Sequence, residues 1–495
     1  MLRKAQGLLL ASGLFLLGSC AIGYDSPNGF DVGVRNTQMV TPDSFSYSID
    51  KTGTTATVSW PLVVGAKYYE VSFYNVDDPE NPVIVDDYDK KLVDGTSMKV
   101  SVAEDCNYKM EIRTIGNSEL GNIDDPEPVV HSLTTLVQSV ATIPNGSDIY
   151  EYLQENPLPA ATSKEVAIDL EAGGTYTCSG QVDFGGQKMT FRGNKLNRAT
   201  VKMTKGGAFC TYSGLKLKFL NFDCAESEAE SLIFMSNKDL PNSIKSQNMG
   251  KYYRDGKDIK DIYMVEDPIY ISSCWIKDLP KAIIHDNGVQ VAYWNFTISD
   301  CIIQQKNRGN SPFINLFKKG RMIKEIEFKN STIFNTLDAG GYWLRYNNQS
   351  NANPVKTFGN KTSEYSNSSV TVTNCTFSKT FSKDKKMANN NRYSSTSTTV
   401  SHCVFYDVSG IRQWLSYGTT KKYSFNFYYA FTAPDSQDLT QKDTGGSPFA
   451  SEYDPKFGGD VTQSLDLTQP NGGVNFTPGE YQITVNAAGD PRWLE

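Results

Sequence analysis

A short sequence pattern recurs five times between residues 269 and 405, and it constrains the fold more than any other feature. Each copy has two apolar residues separated by one position, a turn residue, Cys or Ser, and another apolar residue two positions later. The copies start at Ile269, Phe296, Ile326, Val370 and Thr398, where Thr replaces the first apolar residue. Their Cys or Ser anchors are Cys274, Cys301, Ser331, Cys375 and Cys403, which are 27, 30, 44 and 28 residues apart. Units this short cannot bury an apolar face alone and must stack. Short strands with a polar bend and no helical period predict a right-handed parallel β-helix over residues 165–495.

The anchor positions indicate a buried column of thiols. The chain has nine cysteines, and an extracytoplasmic location would permit disulfides. Neighbouring coils lie about 4.8 Å apart with parallel side-chain directions, which suits stacked thiols better than a disulfide. The residue before each anchor is predicted to be a bend, because short polar side chains bond nearby backbone groups. These residues are Ser273, Asp300, Asn330, Asn374 and His402. Asp300 and His402 are therefore interpreted as turn residues rather than as catalytic groups.

A second strand can be aligned nine to twelve residues after the anchors. Its copies are Ile283-Ile284-His285, Phe313-Ile314-Asn315, Trp343-Leu344-Arg345 and Trp414-Leu415-Ser416. If the central residue of each copy points inward, alternation places the residues on either side of it outward. An outward aromatic can stack on a sugar ring, and Arg can pair with a carboxylate. The predicted glycan-binding residues are Phe313, Trp343, Trp414, His285, Asn315, Arg345 and Arg412. In the alternative, the aromatics pack under the loops 346–369 and 379–397.

The N-terminus has the features of an export signal. Arg3 and Lys4 precede an apolar run from Leu8 to Leu17, and Gly18-Ser19-Cys20 follows. This pattern predicts a signal peptide over residues 1–19 that is cleaved. Its ending resembles a bacterial lipobox, which implies acylation of Cys20 and a lipid anchor on the membrane. Residues 20–40 are then a lipid-anchored linker. In the alternative, the signal is an ordinary secretory one and Cys20 is incidental.

Residues 41–136 show the alternation of half-buried antiparallel strands. Apolar and polar residues alternate around Trp60, through Tyr69–Phe73 and through Tyr108–Ile112. The order of Trp60, Gly65-Ala66-Lys67-Tyr68-Tyr69, and Tyr108 with Arg113 resembles a fibronectin type III module. Such a module implies a spacer more often than a binding domain. A linker over residues 137–164 is predicted to contain a short helix, capped at Asp148 and ended by Pro157, which could cover the open end of the next domain.

Composition excludes several classes of function. The net charge of −7 and the pI near 5.3 argue against a nucleic-acid partner, which would require a basic surface. Three distant histidines make a His-based metal site improbable. After residue 19, no apolar run approaches the roughly 18–20 residues that would span a bilayer. These observations leave a β-rich extracytoplasmic protein that acts through a surface.

Two further segments carry a family resemblance. Val166–Leu170, Ala172–Tyr176 and Met189–Gly193 resemble the first coil of a pectate-lyase-like β-helix. The closing Ala488-Gly489-Asp490-Pro491-Arg492-Trp493-Leu494, with the domain order, resembles Bacteroidetes surface lipoproteins encoded beside polysaccharide-uptake systems. The resemblance implies a mainly β fold, in which a fibronectin-like β-sandwich is followed by a right-handed parallel β-helix. It also implies an outer-membrane lipoprotein that faces the cell exterior.

The expected function is capture of a pectin-type, uronate-containing plant polysaccharide, with the outer-membrane uptake complex as a further partner. No cofactor is expected for binding. In a first alternative the chain is a polysaccharide lyase, which would need calcium and a Lys or Arg base. Asp286 with Lys306 or Arg308 is the best constellation that the sequence offers for it. In a second alternative the chain is a structural or adhesive surface protein.

Overall fold

The computed structural model describes residues 34–306, 311–336, 341–348, 350, 352–359, 363–381, 388–389, 395–408, 421–430 and 450–494. Contacts divide the chain into two units, Met1–Leu136 and Val137–Glu495. Among the described residues, no helix is long and apolar enough to cross a membrane.

The N-terminal unit contains eight described strands in two antiparallel sheets. They are β1 (Ser46–Ile49), β2 (Thr55–Ser59), β3 (Ala66–Asn75), β4 (Val83–Ile84), β5 (Lys91–Val93), β6 (Ser97–Ser101), β7 (Asn107–Gly116) and β8 (Val129–Thr134). One sheet has the order β1-β2-β6, and the other has the order β4-β3-β7-β8 with β5 paired to β3. The alternating residues predicted to face inward, among them Val58, Val71, Phe73, Met110 and Ile112, are buried in one shared core. This unit is therefore a β-sandwich.

The C-terminal unit is built from many short strands. They are β9 (Ser139–Ile143), β10 (Val166–Leu170), β11 (Thr175–Cys178), β12 (Gln181–Asp183), β13 (Met189–Arg192), β14 (Ala199–Met203), β15 (Ala208–Thr211), β16 (Leu215–Lys218), β17 (Leu220–Asp223), β18 (Ser231–Met235), β19 (Tyr253–Arg254), β20 (Lys257–Asp258), β21 (Tyr263–Val265), β22 (Ile269–Ser272), β23 (Trp275–Leu279), β24 (Ala282–His285), β25 (Val291–Ser299), β26 (Ile302–Gln305), β27 (Ile314–Leu316), β28 (Ile323–Asn335), β29 (Leu344–Tyr346), β30 (Ser368–Ser378), β31 (Ala388–Asn389), β32 (Thr396–Ser401), β33 (Val404–Tyr406), β34 (Lys421–Ser424), β35 (Asn426–Tyr429) and β36 (Ala450–Glu452). The α-helices among the described residues are α1 (Ile149–Glu155), α2 (Pro354–Phe358), α3 (Ser363–Ser366) and α4 (Tyr481–Val485).

Most of these strands stack into three parallel sheets. Outside them, β21 pairs in parallel with β25, and β19 and β20 form an antiparallel hairpin. Sheet A runs β9-β10-β13-β16-β22-β25-β28-β30-β32-β34. Sheet B runs β11-β14-β17-β23-β26-β28-β30-β33-β35-β36. Sheet C runs β12-β15-β18-β24-β27-β29-β31. The chain is therefore mainly β, with an antiparallel sandwich and then a parallel, β-helix-like unit, as the repeat predicts.

The predicted bends and anchors lie where sheet A passes into sheet B. Ser273, Asp300, Asn330, Asn374 and His402 all have φ between 49° and 57°. Asn, Asp and His tolerate this left-handed conformation better than most residues. Each anchor side chain then donates to the carbonyl two residues before it: Cys375 Sγ lies 3.2 Å from Thr373 O, and Ser331 Oγ lies 2.7 Å from Lys329 O. The eight described cysteines are buried. Seven of them form no disulfide: Cys178, Cys210, Cys224, Cys274, Cys301, Cys375 and Cys403.

Two segments cover the β-helix-like unit. Helix α1 begins at Asp148, whose side chain accepts the Glu151 N–H, and its Ile149 belongs to the core of the first coils. The C-terminal segment, residues 455–494, lies on the outer face of sheet B. Its apolar residues pack on that face in one cluster: Trp275, Ile302, Phe334, Leu465, Val474, Phe476 and Trp493.

Candidate functional site on sheet C

The strand copies that the sequence aligns are in register in sheet C. Ile284 pairs with Ile314, which pairs with Leu344, and all three are buried. The next position along the strands forms the column of His285, Asn315 and Arg345. Asn315 and Arg345 are half-buried, whereas His285 is 1% exposed. The column therefore offers polar groups to solvent only in its later coils.

The predicted aromatic stripe is wrong at both positions that the structure describes. Phe313 and Trp343 are fully buried, with 0% exposure. Their rings lie 6.1 and 5.3 Å from the ring of Phe328, centroid to centroid, inside the coil. Each residue precedes the first residue of its strand, at a corner where the alternation of a strand does not apply. They are core residues and cannot stack on a ligand.

Arg345 lies close to two other aromatic residues, which the sequence does not predict. Its Cζ lies 3.4 Å from the ring centroid of Phe317 and 5.3 Å from that of Tyr342. Phe317 is 39% exposed, and Tyr342 is half-buried. Arg345 Nε is buried with no hydrogen-bond partner, and Arg345 forms no ion pair with the described residues. The guanidinium is thus stacked and partly desolvated without a carboxylate from the described parts of the chain.

The turn that carries Phe317 is held from three coils. Asn315 Oδ1 accepts the Phe317 N–H at 3.2 Å. Asn347 Nδ2 donates to the carbonyls of Phe317 and Lys318 at 2.7 and 2.8 Å. From the preceding coil, Asp286 Oδ2 accepts the N–H groups of Lys319 and Gly320 at 2.9 and 2.7 Å. These bonds fix the position of Phe317 against Arg345. The short polar residues next to the strands in this region are the sequence signal that could have located the turn.

The acid and base groups nearby are committed to structure. Asp286 is fully buried and also accepts the Gly288 N–H, so its oxygens bind backbone donors. His285 Nδ1 accepts the Asn287 N–H at 2.8 Å, and the ring packs against Phe234. Burial lowers the pKa of His285, and the charge of Lys318 lowers it further, against the opposing effect of Asp286. His285 is therefore a neutral acceptor within the fold.

The remaining predicted residues divide into two groups. Lys306 is exposed, and its Nζ lies 3.5 Å from the carbonyl of Ala225. In the lyase alternative, Asp286 is not available for catalysis, because its oxygens accept hydrogen bonds from backbone N–H groups. Cys20, Arg308, Arg412 and Trp414 lie outside the described residues.

Elsewhere, a groove of about 240 Å³ is lined by charged side chains that already form ion pairs with one another. Lys188 Nζ lies 2.7 Å from Asp267 Oδ1, and Lys216 Nζ lies 3.0 Å from Glu165 Oε2. Across the described chain, no cluster of three His, Cys, Asp or Glu side chains could hold a metal ion. Arg345 and its two aromatic neighbours are therefore the stronger candidate site.

Two family models match parts of the chain. Residues 1–173 match a family model described as a domain of unknown function (DUF4992), and residues 174–336 match a second domain of unknown function (DUF4957). The second match begins within the first coil of the β-helix-like unit and extends through Phe317 to β28. No curated protein and no solved structure matches the chain.

Proposed function

We propose that this protein is a cell-surface glycan-binding lipoprotein that captures a uronate-containing plant polysaccharide of the pectin type. The observation that carries the proposal is the stacked guanidinium of Arg345, which has no carboxylate from the described residues. A planar guanidinium presents parallel N–H donors that match both oxygens of a carboxylate. A ring-stacked Arg is also held in place, so it loses little side-chain entropy when it binds.

The aromatic residues add the second half of a sugar site. Phe317 exposes more than a third of its surface beside Arg345, and Tyr342 is partly exposed on the other side. An aromatic face can cover the C–H face of a sugar ring, while the neighbouring cation pairs with the acid group. The side chains of Asn315 and Asn347 hold Phe317 in position rather than the ligand, because both form hydrogen bonds with the backbone of residues 317–318.

The repeat geometry suits a polymer better than a small molecule. Parallel strands repeat every 4.7–4.9 Å, close to the rise of one extended sugar unit. Asn315, Arg345 and the backbone of Asn389 occupy the same register position in three successive coils. A glycan lying along this column would meet equivalent positions in turn.

The predicted membrane anchor and the sandwich complete the proposal. An acylated Cys20 would hold the protein on the outer membrane, facing outward, and the β-sandwich would serve as a spacer that follows the anchor along the chain. The resemblance to surface lipoproteins of polysaccharide-uptake systems supports a role beside an uptake complex. Calcium would be required only in the alternative in which the chain is a lyase.

The two alternatives differ from this proposal in what they require. A lyase needs a base and acidic calcium ligands near the uronate, whereas Asp286 is buried and bonded to backbone N–H groups. A purely adhesive or structural protein needs no glycan site. The environment of Arg345 favours binding over both.

One assay separates the three functions. The purified protein is mixed with polygalacturonate, methyl-esterified pectin and a neutral plant glycan, with and without calcium. Binding and the ultraviolet absorbance of unsaturated products are both recorded. The proposal predicts that polygalacturonate binds without a rise in absorbance. A calcium-dependent rise would identify a lyase, and no binding to any of the glycans would favour a structural protein.

A further inference from the structure

Another pocket, of about 490 Å³, is lined mainly by basic side chains. Its lining includes five cationic side chains, from Arg254, Lys257, Lys260, Arg321 and Lys356. Two carboxylates, from Asp255 and Asp258, also line it, which leaves a local excess of three positive charges. The whole chain has a net charge of −7, so this excess runs against the average charge of the molecule.

The pocket is built by packed segments from different coils. The β19–β20 hairpin forms one wall, Arg321 lies just before β28, and Lys356 belongs to α2. The rings of Tyr252 and Trp294 both meet Tyr365 edge to face, and Trp294 also meets Phe358 of α2. Gly359 follows α2 at φ +108°, and a Cβ there would lie 2.2 Å from the carbonyl oxygen of Tyr253. The hairpin and α2 are therefore in close contact, so the pocket has fixed walls.

Like charges face one another inside this pocket. Arg254 and Lys257 are directly paired across the two strands of the hairpin. Like charges in that arrangement destabilise a strand pair. One ion pair offsets the arrangement, between Arg254 Nε and Asp255 Oδ2 at 3.3 Å. Burial also lowers the pKa of Arg321. A bound anion would reduce the repulsion between Arg254 and Lys257.

The chain connects this pocket directly to the Arg345 site. Phe317 contacts Arg345, and Arg321 lines the pocket four residues later. Four residues span at most about 14 Å between Cα atoms, even when they are fully extended. The backbone at Phe317 and the backbone at Arg321 are therefore separated by no more than the length of a short oligosaccharide.

We infer that the basic pocket binds a second acidic group of the same polysaccharide strand that Arg345 contacts. The ligand is then a polyanion with carboxylates at short intervals, rather than a neutral polymer with isolated uronates. This inference rests on the proposed function, and it adds a requirement for ligand length that the Arg345 site alone does not impose.

The test measures affinity for oligogalacturonides of two to eight units by calorimetry. Five proteins are compared: the wild type, two pocket variants, Arg345→Ala, and the control Lys164→Ala/Lys202→Ala. The first pocket variant is Lys257→Ala/Lys260→Ala. The control removes two exposed lysines elsewhere on the same unit, so its net charge equals that of the pocket variants. Melting temperatures check that each variant is folded. Lys257→Gln/Lys260→Gln serves as a second pocket variant.

The inference predicts that wild-type affinity rises with length. The pocket variants should bind the octamer about tenfold more weakly than the wild type and the dimer within twofold. Pocket variants that match the control at every length would overturn the inference and leave the proposed function intact, provided that Arg345→Ala still loses binding. If no oligomer binds the wild type, the proposed function and the inference both fail.

Discussion

At the scale of the residue, Arg345 owes its character to the side chains around it. The ring of Phe317 lies against the guanidinium, and the Nε atom is buried without a hydrogen-bond partner. The position of Phe317 depends in turn on Asn315, Asn347 and Asp286. A change at any of these would alter binding by moving Phe317, without removing a ligand contact.

Trp343 and Phe317 give opposite predictions. Trp343→Ala should destabilise the β-helix-like unit by about 3–5 kcal/mol, because it empties a fully buried site. Phe317→Ala should change stability by less than about 1 kcal/mol and weaken glycan binding, with the exposed Tyr481→Ala as a matched control. Denaturant unfolding and calorimetric binding measure the two effects. A Trp343→Ala protein with unchanged stability and lost binding would restore the aromatic stripe that the sequence predicts.

At the scale of the element, the bend and its anchor are the repeating device. A residue with positive φ turns the chain, and the next side chain donates to the carbonyl two residues before it. The sequence predicts this unit because the polar bend and the anchor recur. It does not predict the corner before each sheet C strand, since buried and exposed corner residues have the same apolar character. For this reason, the sequence predicts outward positions for Phe313 and Trp343 and does not identify Phe317.

The anchor predicts a difference between two substitutions of one cysteine. Cys375→Ser keeps a donor to the Thr373 carbonyl, in the arrangement that Ser331 already has. We expect a loss of about 1 kcal/mol or less for Cys375→Ser, and about 1–3 kcal/mol for Cys375→Ala. The free energy of unfolding of both variants decides this. Equal losses for serine and alanine would show that the hydrogen bond contributes nothing.

The C-terminal segment predicts a pH dependence. Burial raises the pKa of Asp490 to about 6, although Arg492 Nη1 lies 2.7 Å from its Oδ2. The folded state therefore binds this proton more tightly than the unfolded chain, where the carboxyl pKa is about 3.9. The contribution of Asp490 to stability is complete below about pH 4 and is lost as the pH rises to about 6.

The measurement compares wild type with Asp490→Asn from pH 4 to pH 8 by thermal and denaturant unfolding. Relative to the variant, the wild type should lose about 2 kcal/mol of stability between pH 4 and pH 7. The comparison cancels the other titrating groups. A difference between the two proteins that does not vary with pH would contradict the raised pKa.

At the scale of the whole molecule, the fold class follows from the sequence, because each repeat unit stacks on the next unit along the chain. The polar column of sheet C follows for the same reason. The Arg345 site and the basic pocket do not follow from the sequence, because they depend on turns from different coils that meet only in the folded chain. Phe317 and Arg345 are 28 residues apart, and Arg254 and Lys356 are 102 apart.

The lipid anchor is a separate prediction at this scale. Cys20→Ala should abolish acylation and release the protein from the membrane fraction, because no other acylated residue is expected. Membrane fractionation with mass spectrometry of the N-terminal peptide measures both effects. A variant that stays acylated and membrane-bound would rule out the lipobox.

The most direct test of the glycan-binding claim is the affinity of Arg345→Ala and Arg345→Lys for polygalacturonate and for its methyl ester. We predict that Arg345→Ala weakens polygalacturonate binding at least tenfold, and more at low salt than at high salt. Arg345→Lys should restore only part of it, because lysine keeps the charge without the planar fork. The methyl ester should bind weakly to all three proteins. Wild-type affinity in both variants would contradict the account.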